Sequence, residues 1–184
     1  MVRCFISVDV EDANLLDGVM EVISQLASTR AHIKPVEREN IHLTLRFLGE
    51  IDPSLIDRIY RVLQSIAFKP FTMKIERLGA FPSISNPRVI WLGVSTGANE
   101  LKNIHSQLER GLEDLGFKRE REEFIPHITI ARVKSSRNKA LLVKKIMELQ
   151  NVEIGEMVVD TIRLKQSILT PRGPIYKTLR EVKV

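Results

Sequence analysis

Two short strings of the chain share one pattern of residue types, HLTL over residues 42–45 and HITI over residues 127–130. Each consists of His, an apolar residue, Thr and a second apolar residue. Because side chains alternate between the faces of a β-strand, the pattern predicts a His/Thr pair on one face and two core residues on the other. A matched pair of imidazoles suits a reaction that both removes and supplies a proton near neutral pH.

Two histidines that act together are compatible with three kinds of chemistry. The first is acid–base catalysis. The second is metal binding, which needs a carboxylate or a third histidine nearby. The third is nucleophilic attack by a histidine, for which one copy is enough. Neither string carries an acidic residue at its partner positions, and Arg46 and Arg132 lie close to the histidines instead. The sequence therefore favours an anionic substrate over a metal ion.

The threonines and arginines near the histidines fit a phosphate. A Thr two residues along a strand lies about 7 Å from the His on the same face. We therefore expect the hydroxyls of Thr44 and Thr129 to contact the two non-bridging phosphate oxygens. Arg132 is expected to add a charge-assisted contact. Strict alternation also places Arg46 on the face of Thr44, as a candidate substrate contact.

Three aromatic residues are candidates for stacking against a ring of the substrate, since an aromatic side chain offers a flat apolar face. They are Phe47, Phe81 and Tyr176. A place in the hydrophobic core is the alternative for each.

The composition is that of a globular protein that can bury a core without covalent links. The chain has 184 residues, of which 43% are hydrophobic and 28% charged. Cys4 is the only cysteine, which excludes an internal disulfide and a zinc site of several thiolates. No apolar run is long enough to span a membrane, and the N-terminal residues reach acidic positions too early for a signal peptide. We therefore expect a cytoplasmic protein without a membrane partner.

The net charge of +5 is unevenly distributed along the chain. Residues 1–117 contain 13 Lys/Arg and 15 Asp/Glu, whereas residues 118–184 contain 15 Lys/Arg and 8 Asp/Glu. A basic C-terminal part is typical of proteins with a polyanionic partner such as a nucleic acid. A solvated basic surface without a partner is the alternative.

Hydrophobic periodicity predicts strands and helices in mixed order. Strands are predicted over 2–10, 41–49, 71–81, 88–95, 126–133 and 174–183, with a short extended piece over 31–36 and one long or two short strands over 152–170. Helices are predicted over 11–29, 53–66, 99–115 and 136–150. This mixture favours an α+β class. A helix precedes the His strand in each half, which suggests a duplication that produced two related lobes.

The motifs resemble those of a known family. The two strings begin 85 residues apart and are similar to the paired motifs of the two-histidine (2H) phosphoesterase superfamily. Within it, the chain resembles the RNA 2′,3′-cyclic phosphodiesterases of bacteria and archaea, also called 2′-5′ RNA ligases. The likeness includes RCFISVDV (3–10), HLTLRFLGE (42–50), PHITIAR (126–132) and SILTPRGPIYKTL (167–179).

The resemblance implies a bilobal α+β fold, with two pseudo-symmetric lobes of mostly antiparallel sheet and flanking helices around a central cleft. Residues 1–184 would form one such domain. The implied reaction is hydrolysis of a terminal RNA 2′,3′-cyclic phosphate to a 2′-phosphomonoester without a metal or cofactor, with ATP-independent 2′-5′ ligation as its reverse. In this family the first His is the proton donor and the second the acceptor, which assigns His42 and His127 to these roles. Because the two strings are nearly identical, the residues alone do not decide which histidine donates the proton and which accepts it.

The implied partner is an RNA with a 2′,3′-cyclic phosphate end, such as a tRNA fragment, bound by a monomer. Two other functions stay open at this point. One is an RNA-binding or tRNA-handling module without turnover, which the basic C-terminal part favours. The other is a phosphodiesterase that acts on a small cyclic nucleotide.

Overall fold

The computed structural model describes residues 1–184, which form four helices and nine strands. The helices are α1 (Ala13–Ala27), α2 (Ile56–Ser65), α3 (Ala98–Glu113) and α4 (Lys139–Glu148). The strands are β1 (Val2–Asp9), β2 (Ile33–Pro35), β3 (His42–Ile51), β4 (Phe71–Pro82), β5 (Pro87–Val94), β6 (His127–Val133), β7 (Glu153–Val159), β8 (Thr161–Thr170) and β9 (Gly173–Lys183). The region 152–170 therefore contains two strands, with Asp160 between them.

The strands form two antiparallel sheets. Sheet A has the order β3-β1-β8-β9, and sheet B has the order β2-β6-β5-β4-β7. The predicted α+β class with two antiparallel lobes is confirmed. Each sheet takes strands from both halves of the sequence, so the lobes do not correspond to its N- and C-terminal halves. The chain crosses from one sheet to the other four times, before β2, β3, β4 and β8.

The helices cover the outer side of each sheet. Helix α1 contacts β6, β7 and α4, whereas α2 contacts β9 and α3, and α3 contacts β3. Helix α1 begins where the Asp12 carboxylate accepts a hydrogen bond of 3.0 Å from the Leu15 amide, which caps the first turn. No helix of the protein is both long and apolar enough to span a bilayer.

The apolar residues of the two His strings lie in the hydrophobic core. Leu43, Leu45, Ile128 and Ile130 are each at most 1% exposed, which confirms the alternation predicted for both strings. Strands β3 and β6 contact each other where the two sheets meet. The His/Thr faces of the strings are therefore next to each other at the junction of the lobes.

A β-bulge interrupts the alternation of β3 immediately after its His string. Thr44 lies opposite Ser7 of β1, but the next pair joins Arg46 to Ile6 and leaves Leu45 as an extra residue. Because a bulge shifts the alternation by one position, Arg46 turns to the buried side and the residue after it returns to the face of Thr44.

Strand β6 contains a bulge at the equivalent place. Thr129 lies opposite Trp91 of β5, and Ala131 lies opposite Ile90, so Ile130 is the extra residue. Ala131 is consequently buried, and Arg132 is exposed on the face of Thr129. The two His strands thus share the bulge as well as the string.

Candidate active site

His42 is the first residue of β3 and is held by hydrogen bonds at both ring nitrogens. Its Nδ1 lies 2.7 Å from the carbonyl oxygen of Asn40, and its Nε2 lies 2.9 Å from the hydroxyl of Thr44. Since a carbonyl only accepts, Nδ1 carries the hydrogen, and Nε2 of the neutral ring accepts from Thr44. The rings of Phe5 and Tyr176 pack against the imidazole, with centroid distances of 5.0 and 5.3 Å.

His127 is the first residue of β6 and has matching surroundings. Its Nδ1 lies 2.6 Å from the carbonyl oxygen of Ile125. The edge of Phe81 packs 5.0 Å from the imidazole, and Trp91 lies 6.3 Å away. A Cβ at Gly79 would lie 2.4 Å from the indole of Trp91, so this glycine makes the space for the ring beside His127.

Both imidazoles are fixed in the same tautomer by the carbonyl two residues upstream in the chain. The reactive nitrogen is therefore Nε2 in both, because Nδ1 is committed to the backbone. Burial lowers the pKa of each ring below its ordinary value, and a charge on His127 lowers the pKa of His42 further. The protonation of one imidazole therefore makes protonation of the other less favourable.

The two sites differ in the residue that lies opposite the histidine. Asp9 of β1 is paired with His42, whereas Gly93 of β5 is paired with His127. The Asp9 carboxylate accepts a hydrogen bond of 2.7 Å from the ammonium of Lys165. Burial lowers the pKa of His42, the negative charge of Asp9 raises it, and the positive charge of Lys165 lowers it. Only His42 has a carboxylate that favours its protonated form.

Arg46 does not share the face of His42, and its predicted role as a substrate contact is wrong. The bulge at Leu45 turns the side chain inward, where Arg46 is 8% exposed. Its guanidinium forms an ion pair with Glu109 of α3 and donates to the carbonyl oxygens of Phe47 and Lys118.

The buried Arg46 holds the segment that leads to β6, residues 118–126, which we call the pre-β6 loop. Arg46 donates to the Lys118 carbonyl at the start of this loop. The other oxygen of Glu109 accepts a hydrogen bond of 2.9 Å from the Glu120 amide. One buried ion pair therefore fixes the loop at two points.

A stacked ring pair fixes the pre-β6 loop at a third point. The imidazole of His105 lies 4.3 Å from the ring of Phe124 at an angle of 10°. Ile125, the next residue, supplies the carbonyl that orients His127. The loop thus links the buried Arg46–Glu109 ion pair to the Ile125 carbonyl, which sets the tautomer of His127.

The side chains of His105, Glu109 and Glu120 offer ligand atoms within 4.8 Å of one another. The guanidinium of Arg46 already bonds both carboxylates, however, and its charge opposes a cation there. His42 and His127 belong to no group of three such ligands. The donors around these two histidines suit an anion better than a metal ion.

The remaining predicted site residues lie on the His faces of the two sheets. Phe47 is 58% exposed, with its ring 6.3 Å from that of Phe5. Tyr176 places its ring edge against His42. Burial raises the pKa of the Tyr176 hydroxyl, and the charge of Arg132 counteracts this shift. The hydroxyl of Thr129 and the guanidinium of Arg132 have no partner within the protein.

Sequence reasoning missed Asp9, Lys165 and Trp91 as neighbours of the histidines. Asp9 carried a usable signal, because Phe5, Ser7 and Asp9 recur with a period of two in the N-terminal strand. Lys165 and Trp91 had none, since only the pairing of β8 with β1 and of β5 with β6 brings them to the site.

Comparison with known proteins finds relatives that match nearly the whole chain. A family model described as LigT-like phosphoesterase matches residues 10–91 and 92–176. A protein of Aeropyrum pernix named RNA 2′,3′-cyclic phosphodiesterase is 50% identical over 158 residues, which are 86% of this chain and 90% of the relative. A protein of Archaeoglobus fulgidus with the same name is 40% identical over 178 residues, 97% of this chain and 98% of the relative.

Solved structures share the fold. A crystal structure of a Thermus thermophilus protein matches with a TM-score of 0.81 and 26% identity, over 98% of this chain and 97% of the other. The crystal structure of E. coli LigT complexed with 3′-AMP matches with a TM-score of 0.77 and 21% identity, over 100% of this chain and 98% of the other.

Proposed function

The chain belongs to the LigT-like phosphoesterase family, and from that premise we propose that it hydrolyses the 2′,3′-cyclic phosphate at the end of an RNA to a 2′-phosphomonoester. Relatives that cover nearly the whole chain bear the name RNA 2′,3′-cyclic phosphodiesterase. The proposed catalysts are His42 as general acid and His127 as general base, without a metal ion.

The observation that carries the proposal is the matched tautomer of the two histidines. Each Nδ1–H is bound to a backbone carbonyl, which leaves Nε2 to exchange a proton on the face that bears the threonine. The carboxylate of Asp9 beside His42 supports the assignment of the two roles, because it favours a proton on His42 and no equivalent carboxylate lies opposite His127.

The residues around the histidines supply contacts for the phosphate. When Nε2 of His42 is protonated it no longer accepts from Thr44, so the Thr44 hydroxyl can donate to one non-bridging oxygen. The Thr129 hydroxyl donates to the other, and Arg132 adds a charge-assisted contact. These donors stabilise the negative charge that builds up on the oxygens in the transition state. Phe47 and Tyr176 offer ring surfaces to the terminal base.

The proposed reaction proceeds by in-line displacement at phosphorus. Nε2 of His127 removes a proton from water, whose oxygen forms a bond to phosphorus. The bond from phosphorus to the 3′-oxygen breaks, and Nε2–H of His42 gives its proton to that oxygen. The products are a 2′-phosphomonoester and a free 3′-hydroxyl. When a 5′-hydroxyl takes the place of water in the same displacement, its oxygen bonds to phosphorus, the bond to the 3′-oxygen breaks, and the product is a 2′-5′ linkage formed without ATP.

Incubation with an oligonucleotide that ends in a 2′,3′-cyclic phosphate tests the function. We expect a product with a 2′-phosphomonoester, identified by mass spectrometry and by its resistance to an enzyme specific for 3′-phosphates. The rate should not change after EDTA treatment, because no resident metal takes part. A 3′-phosphate product, or loss of activity on chelation, would contradict the proposal. Binding of the oligonucleotide without turnover would identify an RNA-binding module instead.

The pH profile of kcat tests the role of Asp9 beside His42. Activity is lost at high pH when the acid His42 loses its proton, and at low pH when the base His127 gains one. Asp9→Asn removes the charge that raises the pKa of His42. We therefore expect the alkaline limb to move to lower pH, while the acid limb stays in place.

Lys165→Met provides the matched comparison for Asp9→Asn. The Lys165 ammonium lowers the pKa of His42, so its removal should move the alkaline limb to higher pH. The facing groups on the packed elements are Asp9, Lys165, His127 and Tyr176. A shift of the acid limb in Asp9→Asn, with the alkaline limb unchanged, would reverse the assignment of acid and base.

A further inference from the structure

Two positive charges face each other at one end of the His127 face. Lys34 of β2 and Arg132 of β6 are direct cross-strand partners. Both side chains are exposed, and neither has a carboxylate within 4.0 Å. Like charges opposite each other destabilise a sheet. An unneutralised pair of this kind is therefore a candidate anion site.

The tip of the β8–β9 hairpin brings sheet A to the same place. A Cβ at Gly173 would lie 3.8 Å from the ammonium nitrogen of Lys34, so this ammonium lies beside the hairpin backbone. The residue after Gly173, Pro174, accepts a hydrogen bond of 3.0 Å at its carbonyl from the side-chain amide of Asn40. Asn40 lies two residues before His42 in the chain. Lys34 is thus located where both sheets border the active site.

The face of sheet B connects the active-site threonine to this charge pair. The bulge at Ile130 places Arg132 on the face of Thr129, at the next outward-facing position of β6. A step between such positions is about 7 Å. Lys34 extends the line of donors sideways onto β2. The donors thus form a track that begins at the catalytic phosphate site and ends at Lys34.

The other side of His42 is unsuited to an anion. A cavity of about 570 Å³ opens there, between Asp9, Arg163 and Lys165. Its cations are already neutralised, because Arg163 binds Asp9, Glu11 and Glu181, and Lys165 binds Asp9. The third cation of this cavity, Arg180, binds Asp57, whereas Lys34 and Arg132 form no ion pair.

We propose that Lys34, which lies beyond Arg132 on this track, forms a second phosphate subsite, which binds the phosphodiester that precedes the terminal nucleotide of the RNA. This inference rests on the proposed function and narrows its substrate class. The subsite selects polynucleotide ends over free nucleoside 2′,3′-cyclic monophosphates, which lack that phosphodiester. Uridine 2′,3′-cyclic monophosphate therefore fills the catalytic site alone, and a dinucleotide with the same end fills both.

Three substrates measure the subsite directly. They are the mononucleotide, the dinucleotide, and a dinucleotide whose internal linkage is an uncharged methylphosphonate. We expect kcat/KM of the wild type to be about tenfold or more higher for the charged dinucleotide than for the other two. Lys34→Glu should abolish this advantage and leave mononucleotide turnover nearly unchanged. Lys144→Glu on α4 makes the same charge change at an exposed position away from the site and should have no effect.

Two further measurements keep the outcomes distinct. The slope of log Kd against log salt for a 3′-end oligonucleotide should fall by about one in Lys34→Ala. The thermal midpoint of Lys34→Glu should be at least as high as that of the wild type, because the substitution removes the like-charge pair of Lys34 and Arg132. Equal losses on mononucleotide and dinucleotide, or an advantage that persists with the methylphosphonate, would overturn the subsite. Failure to hydrolyse any of the three substrates would refute the proposed function. The salt slope would still show whether Lys34 contacts a phosphate of the bound oligonucleotide.

Discussion

Substitution of either active-site histidine by alanine is expected to lower kcat by about 10²–10⁴-fold, with binding of the RNA end retained. His42→Ala removes the proton donor for the 3′-oxygen, and His127→Ala removes the acceptor for the proton of water. The double variant should be little worse than either single variant, because each residue depends on the other within one step. Single-turnover rates with saturating enzyme measure the effect without interference from product release.

His32→Ala is the matched control for these variants. His32 is an exposed histidine whose Nδ1 lies 3.0 Å from the Ser135 hydroxyl, and it lies outside both strings. Its substitution should leave kcat unchanged. Undiminished turnover in His42→Ala or in His127→Ala would eliminate paired acid–base catalysis as the mechanism.

Arg46→Met is expected to lower the free energy of unfolding by about 3–5 kcal/mol, since the buried Glu109 charge loses its partner. The thermal midpoint should fall by about 10 °C in a chain of this size. Burial raises the pKa of Glu109, but hydrogen bonds from Arg46 and the Glu120 amide outweigh it and lower that pKa. The contribution of the pair is therefore present above the ordinary pKa of a glutamate and is lost as the pH falls below it.

The same variant should also lower kcat, by about tenfold or more, because the pre-β6 loop that orients His127 loses its attachment at Lys118. Arg46→Met combined with Glu109→Met should recover part of the stability, as no unpaired buried charge remains. Arg119→Ala breaks an exposed ion pair with Glu113 and should change stability little. Unchanged stability in Arg46→Met would show that the buried pair does not hold the loop.

The sequence was sufficient for the parts of the site that follow from local alternation. His42 and Thr44 share one face, their apolar neighbours are buried, and the second string repeats this arrangement. Such agreement is expected, because a strand with one buried face fixes the direction of every side chain. The helices were equally accessible, since their apolar stripes recur at helical spacing.

The residues that depend on strand pairing were beyond the reach of the sequence. Arg46 was assigned to the wrong face because the residue types around Leu45 do not indicate the β-bulge at that position. Lys34 gained its significance only when the register placed it opposite Arg132. Glu109 lies within a predicted amphipathic helix, where a glutamate is usually exposed. Only the packing of α3 on β3 buries it as the ion-pair partner of Arg46.

The four crossings of the chain between the sheets have a consequence for how the enzyme would work. Each lobe contains strands from distant parts of the sequence, so the lobes are linked by several covalent connections instead of one flexible hinge. The spacing of the two imidazoles is then a property of the unliganded protein. In the proposed reaction, binding energy from the RNA is then not needed to bring the two histidines together and remains available to stabilise the transition state, as in preorganised active sites.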